Sequence, residues 1–241
     1  MKGEETIDEL KGYDLRIVQP RDGYRFSLDP LLLCDFATVG EGARVIDLGA
    51  GSGIIPLLLA RKAASVRIVG AELQEEMATL AGRNVVLNGL SDRIEIIGAD
   101  ILSLRDRFPV SSFDLVTANP PYRKPGSGKI SPKAGRDKAR HETTATLTDF
   151  LEAAKYLVKP TGTISFTYLP LRLAEFCATA AALKLAPLRM RMVHGNARAS
   201  ARMVLIELAK GRRAGLEILP PLFVYGPDGE YSEEVKRILR V

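Results

Sequence analysis

Val45-Ile46-Asp47-Leu48-Gly49-Ala50-Gly51-Ser52-Gly53 decides how the chain folds. Its aliphatic start has the composition of a buried strand. Glycines at alternate positions then let the backbone turn sharply and approach a ligand where a Cβ would clash. The apolar run 54–61 behind them reads as a helix whose first turn offers unpaired N–H groups and tolerates Pro56. Working outward, residues 66–71 form a second strand ending in Glu72, and 75–87 a helix stopped by Asn88-Gly89. A third strand, 94–98, leads to Asp100, and a fourth, 113–118, ends at Asn119. This alternation predicts an α/β fold, an open and mostly parallel sheet with helices on both faces. Ligands of such sheets bind at the carboxyl ends of the strands, so Asp47, Glu72, Asp100 and Asn119 belong on one edge.

The remaining segments fit around that sheet. Residues 1–12 read as a polar, frayed start, with 15–18 and 24–28 as a short hairpin across Pro20-Arg21-Asp22-Gly23. Asp29-Pro30 opens a helix, Asp29 as its cap. After residue 146 the pattern predicts a helix over 147–158 stopped by Pro160-Thr161-Gly162, a strand over 163–168 and a helix over 171–183. Strands 188–193 and 203–208 form an antiparallel closing pair. An accessory hairpin and a helix capped by Ser232 complete the chain, with no internal repeat and no domain linker.

The glycine stretch discriminates among nucleotide ligands. A dinucleotide site needs G-x-G-x-x-G, whereas the spacing here is G-x-G-x-G, with Asp47 two residues upstream. That carboxylate disfavours a pyrophosphate and suits an ammonium. Glu72 can accept both hydroxyls of a ribose, and Asp100 can accept from an adenine amino group. There is no Walker lysine after the glycines. The set matches S-adenosylmethionine better than NAD, FAD or ATP.

A second stretch, Asn119-Pro120-Pro121-Tyr122, supplies different chemistry. Two prolines can neither continue a helix nor pair within a sheet, so they force a rigid, extended exit from the fourth strand. The exit fixes an amide side chain, a proline carbonyl and an aromatic face. The Asn119 oxygen and the Pro120 carbonyl are two acceptors suited to an –NH2 group, and Tyr122 can stack on the ring that bears it. Between Arg123 and Arg140 the chain carries seven cations against the single Asp137, in a Gly/Pro/Ser-rich context. A positive loop beside the corner suits phosphate, with Arg123, Lys124, Lys138 and Arg140 as candidate contacts.

Composition bounds the remaining possibilities. At 241 residues and 46% hydrophobic the chain can bury a sizeable core. No apolar run approaches the roughly 20 residues needed to cross a bilayer, and the acidic start is not a secretory signal. Two isolated cysteines and two histidines, His141 and His194, provide no metal-ligand spacing, so no metal is expected. A cytoplasmic location is the simplest reading, and the chain suits a monomer or a homodimer.

Residues 45–53 resemble the first motif of class I S-adenosylmethionine-dependent methyltransferases, and Asn119-Pro120-Pro121-Tyr122 resembles their amino-methylating signature. Three further stretches narrow the resemblance: Phe26-Ser27-Leu28-Asp29-Pro30-Leu31-Leu32-Leu33, Ala139-Arg140-His141-Glu142 and Gly229-Glu230-Tyr231. They are similar to the bacterial tRNA(Val) adenine-N6 methyltransferase family. The resemblance implies a Rossmann-like seven-stranded sheet with an antiparallel closing strand, and a methyltransferase domain over 1–241 with its catalytic core at 41–210. Implied cofactor-binding residues are Asp29, Asp47, Gly49, Gly51, Gly53, Glu72, Leu73, Asp100, Ile101 and Asn119. Asn119, Pro120, Pro121 and Tyr122 are the implied catalytic corner, and a tRNA anticodon stem-loop the implied partner. A glutamine amide of a protein and a guanine amino group of ribosomal RNA stay open as alternative acceptors.

Overall fold

Short runs of Val, Ile, Leu and Ala build the middle of the sheet because those strands are buried on both faces. Val45, Ile46 and Leu48 are all fully buried, which explains a continuous apolar run in place of alternation. The computed structural model describes residues 5–21, 27–120, 145–211 and 215–241. In chain order the elements are β1 Glu5–Leu10, β2 Leu15–Pro20, α1 Asp29–Phe36, β3 Arg44–Leu48, α2 Ile54–Lys62 and β4 Arg67–Glu72. They continue with α3 Glu75–Leu87, β5 Ile94–Gly98, β6 Phe113–Ala118, α4 Leu147–Leu157, β7 Val158–Tyr168 and α5 Leu173–Ala182. β8 Leu185–His194, β9 Ala201–Lys210, β10 Glu217–Ile218, β11 Leu222–Phe223 and α6 Glu233–Leu239 complete the set.

The large sheet runs β5-β4-β3-β6-β7-β9-β8, with β10 and β11 both paired to the outer edge of β8. Strands β3 to β7 are mutually parallel, and β9 runs antiparallel between β7 and β8. The expected seven strands are therefore present in order, and two two-residue strands extend the sheet to nine. One face packs under α1, α2, α6 and Val85 of α3. The other packs under α4 and α5, where Phe166 meets Phe150 and Phe176 edge-on at 6.2 and 5.5 Å. The chain order reverses between β3 and β6, so the crevice of an open sheet falls where the glycine stretch and Asn119 leave neighbouring strands.

Two expectations are corrected. β2 pairs antiparallel with β1, Leu10 facing Leu15 and Glu5 facing Pro20, across the helical turn Lys11–Tyr13. The supposedly frayed start is thus the hairpin partner, and the expected strand over 24–28 falls largely outside the described residues. At the other end, β10 and β11 pair in parallel with β8 and not with each other, so no hairpin joins them. Among the described residues, the antiparallel closure across the turn 226–229 is the single bridge between Tyr225 and Tyr231. Among the described residues, no helix is long and apolar enough to cross a membrane.

Candidate active site

The glycine loop is held by backbone geometry. Gly49, Gly51 and Gly53 have φ of 77°, 55° and 83°, the left-handed region that side chains disfavour. The Gly49 and Ala50 N–H groups donate to the Ala71 carbonyl at 2.8 and 3.0 Å, fixing the loop on the end of β4. Close approach matters at Gly53, where a Cβ would sit 3.2 Å from the Ala81 Cβ of α3. Above Gly51 a Cβ would meet nothing within 4 Å among the described residues, which leaves room on that side of the loop for a ligand. Glu72, 7% exposed, braces the loop: Oε2 accepts from the Gly51 N–H at 2.8 Å and Oε1 from the Gln74 N–H at 2.9 Å.

Asp47 lies beside this loop and is fully buried. Its Oδ1 accepts from the Thr117 hydroxyl at 2.7 Å, while among the described residues the buried Oδ2 has no hydrogen-bond partner. Burial pushes its carboxyl up to about 7; the Thr117 hydrogen bond opposes that shift and the nearby Glu72 carboxylate adds to it. A buried carboxylate oxygen without a donor is costly unless a donor arrives with the ligand. The site therefore fits the ammonium of S-adenosylmethionine, by the chemistry of its acceptors.

Two strands further along, Asp100 is half-buried and caps the helical turn Ile101–Asp106, accepting from the Leu102 N–H at 3.0 Å. Leu73 and Leu102 are each 50% exposed on the loops after β4 and β5, apolar surfaces of the kind that hold a flat base. Ile101 differs: it is 7% exposed and its side chain belongs to the core cluster that includes Leu104 and Phe113. The exposed apolar group that follows Asp100 is Leu102.

Asp29 is the first residue of α1, with Leu28 rather than Asp29 in the cap position. Lys62, the last residue of α2, donates to the carbonyls of Cys34, Asp35 and Ala37 at 2.7, 2.9 and 2.7 Å. The carboxyl end of α1 is thereby tied to the last turn of α2, whose first turn follows the glycine loop at the carboxyl edge of the sheet. Asn119 leaves β6 on this same edge, and its side-chain oxygen accepts from the hydroxyl of Thr167, a fully buried residue of β7. Pro120 is buried beside it. Pro121, Tyr122, Arg123, Lys124, Lys138, Arg140 and His141 lie outside the described residues. His194 closes its own loop, its Nδ1 lying 2.8 Å from the Ala199 carbonyl.

Asp47, Gly49, Gly51, Gly53, Glu72, Leu73, Asp100 and Asn119 are thus gathered along one sheet edge. Thr117 and Thr167 escaped the sequence reading, because a threonine in a strand is explained by its β-branching alone. In β6 the signal was present, since Thr117 is the one hydroxyl of that strand; Thr167 stands among the other hydroxyls of β7, Thr161, Thr163 and Ser165, and gave no such signal.

Comparison with known proteins bears on this arrangement. The family model described as the methyltransferase small domain matches residues 29–167. A tRNA1(Val) (adenine(37)-N6)-methyltransferase of Erwinia tasmaniensis is 32% identical over 226 residues, spanning 93% of this chain and 90% of that protein. One of Porphyromonas gingivalis is 31% identical over 243 residues, spanning 96% and 92%. Among solved structures, a predicted O-methyltransferase of Agrobacterium tumefaciens superposes with a TM-score of 0.73 at 23% identity, over 88% of this chain and 95% of that one, a likeness of fold. TrmN from Thermus thermophilus matches with a TM-score of 0.57 at 25% identity, over 75% of this chain and 48% of that one. The chain belongs to the methyltransferase small domain family and, among class I S-adenosylmethionine-dependent methyltransferases, to the family of the tRNA1(Val) (adenine(37)-N6)-methyltransferases.

Proposed function

We propose that the protein transfers a methyl group from S-adenosylmethionine to the exocyclic amino group, N6, of an adenine in tRNA, beside the anticodon. The observation that carries this reading is the division of one sheet edge into two sets of acceptors. Asp47, Glu72 and Asp100 serve a cationic nucleoside, and Asn119 with the Pro120 carbonyl serves an –NH2 group. The relatives named above support the choice of tRNA.

In this reading Asp47 Oδ2 takes the ammonium, Glu72 the ribose hydroxyls and Asp100 the adenine amino group of the cofactor. The glycine loop allows close backbone approach, Leu73 and Leu102 flank the base with Ile101 packed in the core behind them, and Asp29 covers the pocket. Bound there, S-adenosylmethionine supplies one electrophilic methyl group. The chain's own residues prepare the acceptor. Asn119 Oδ1 and the Pro120 carbonyl accept the two N–H groups of the target amine, favouring a pyramidal nitrogen whose lone pair is less conjugated with the ring. The same acceptors stabilise positive charge developing on that nitrogen. Tyr122 stacks the looped-out base, which contributes roughly 1–3 kcal/mol. Positioning supplies much of the remaining acceleration. No general base is needed, because the proton can leave after transfer. Arg123, Lys124, Lys138 and Arg140 contact phosphates of the anticodon stem-loop, as suits recognition of unstacked RNA loops. A cytoplasmic enzyme of one domain over 1–241 completes the proposal.

The test is transfer of labelled methyl into unmodified total tRNA, followed by nucleoside analysis. The expected product is N6-methyladenosine. Label appearing only in a methylated guanine of ribosomal RNA, or in a protein glutamine, would overturn the choice of acceptor.

A further inference from the structure

We propose that Thr167 is a positioning residue for the reaction, its hydroxyl setting which end of the Asn119 amide faces the target amino group. The inference rests on the adenine-N6 reading above and assigns the residue that makes Asn119 competent for it.

The Asn119 side chain has two nearly equivalent orientations. An asparagine amide has nearly the same shape when its oxygen and nitrogen exchange places. Only one orientation suits an incoming –NH2: oxygen toward it, as acceptor. The reverse orientation sets two donor groups against each other. Something in the protein must therefore bias the amide.

Thr167 is placed to supply the bias. Ala118 pairs with Phe166 in register, so Asn119, the next residue, comes level with Thr167 on the neighbouring strand. The two side chains share the face that already carries Asp47 and Thr117, which lie two strand positions back. Thr167 is fully buried and pairs with Leu205 on its other side, so its backbone is fixed between two strands. Its branched Cβ restricts χ1 as well. From this position the hydroxyl donates to Asn119 Oδ1. If the amide were reversed, the hydroxyl could only accept, and its own proton would be left in a fully buried place, which is costly. The bond also leaves Oδ1 able to accept again, since a carbonyl oxygen has two lone pairs.

A parallel arrangement serves the cofactor side. Thr117 sits directly opposite Asp47 in register and donates to its Oδ1, leaving Oδ2 for the ligand. In both cases a buried threonine on the adjacent strand fixes one oxygen of a functional group and orients the rest.

The test uses the full chain loaded with S-adenosylmethionine and an RNA that the wild-type protein methylates at adenine. Thr167→Val keeps the shape and removes the hydroxyl; Thr167→Ser keeps the hydroxyl. Single-turnover rate, KM for RNA and affinity for S-adenosylhomocysteine are measured for each. The inference expects Thr167→Val to lower the single-turnover rate about tenfold or more, as loss of positioning does. It expects Thr167→Ser to restore most of that rate, and both variants to bind S-adenosylhomocysteine as the wild type does. A purely structural threonine would weaken cofactor binding and rate together. Unchanged turnover in Thr167→Val, or an equal fall in Thr167→Ser, overturns the inference while leaving the adenine-N6 reading intact. Absence of adenine methylation by the wild-type protein removes that reading, and this inference with it.

Discussion

Asp47 concentrates the physics of the site in one carboxyl group. Full burial raises its pKa to about 7 against an ordinary value near 3.8, and one oxygen lacks a partner among the described residues. Protonation is therefore easier in the folded protein than in the unfolded chain. Between the ordinary value and about 7 the folded state binds the additional proton, so Asp47 makes stability fall as pH rises through that window and level off above it. Ligand binding has the opposite dependence, because an ammonium needs the ionised form. Affinity for S-adenosylhomocysteine, which keeps the amino acid portion, should weaken about tenfold between roughly pH 8 and pH 6. Methylthioadenosine, which lacks that portion, should show no such change; calorimetric titration of both ligands checks this. Equal pH dependence for the two would remove Asp47 from the ammonium's site. At this scale the sequence was highly legible. An acid two residues before alternating glycines has few structural uses, so Asp47 and Glu72 could be placed beside the glycine loop from spacing, and the structure places them there. The partner hydroxyls of Thr117 and Thr167 could not, since cross-strand neighbours depend on register.

Elements couple the site to the rest of the fold, and α3 does so through asparagines. Asn84 is fully buried: Oδ1 accepts from the Val18 N–H at 2.8 Å, and Nδ2 donates to the carbonyls of Val18 and Ser52, both at 3.0 Å. One turn later Asn88 bonds the Arg16 N–H and carbonyl at 2.9 and 2.8 Å. Two side chains thus imitate a strand, satisfying one edge of β2 and tying it to the glycine loop. Asn84→Ala leaves three buried backbone groups without partners and should cost roughly 3 kcal/mol of stability, measured by urea unfolding. It should also speed hydrogen exchange at Val18 before the bulk of the sheet opens. The glycine loop makes a sharper contrast. Gly53→Ala strains φ and presses on Ala81, so it should destabilise the protein. Gly51→Ala carries similar backbone strain but projects into open space, so its cofactor affinity should fall further than its stability. Thermal denaturation with and without S-adenosylhomocysteine separates the two. The central elements were legible because parallel buried strands and capped helices have strong local signals. The β1–β2 pairing was not: β1 alternates only between exposed and half-buried positions, so its periodicity carries little hydrophobic contrast. The turn residues at 20–23 pointed to the wrong partner, whereas Asn84 and Asn88, far along the chain, hold β2 against α3.

For the molecule as a whole, the net charge of +5 says little, and its distribution says more. Seven cations fall between residues 123 and 140, directly after the Asn119 corner. If they hold phosphates, affinity for tRNA should drop steeply with salt, about 0.7–0.9 in the log–log slope for each contact. Replacing Lys138 and Arg140 with glutamine should lower that slope by close to two contacts, as read by filter binding at several salt concentrations. Affinity for S-adenosylhomocysteine should stay unchanged. The antiparallel closing pair was anticipated, but the attachment of β10 and β11 to β8 was not. Two-residue strands leave no periodicity to read, and their pairing is settled by where β8 lies in the finished sheet.

In the proposed function one sheet edge divides its labour, Asp47 and Glu72 holding the methyl donor and Asn119 acting on the acceptor. Single-turnover methyl transfer to tRNA by Asn119→Ala, alongside its affinity for S-adenosylhomocysteine, tests that division. The predicted result is a loss of transfer by about two orders of magnitude or more, as for removal of an electrostatic stabiliser, with cofactor affinity unchanged. Transfer at the wild-type rate, or a loss of cofactor binding that accounts for the whole decline, would contradict it.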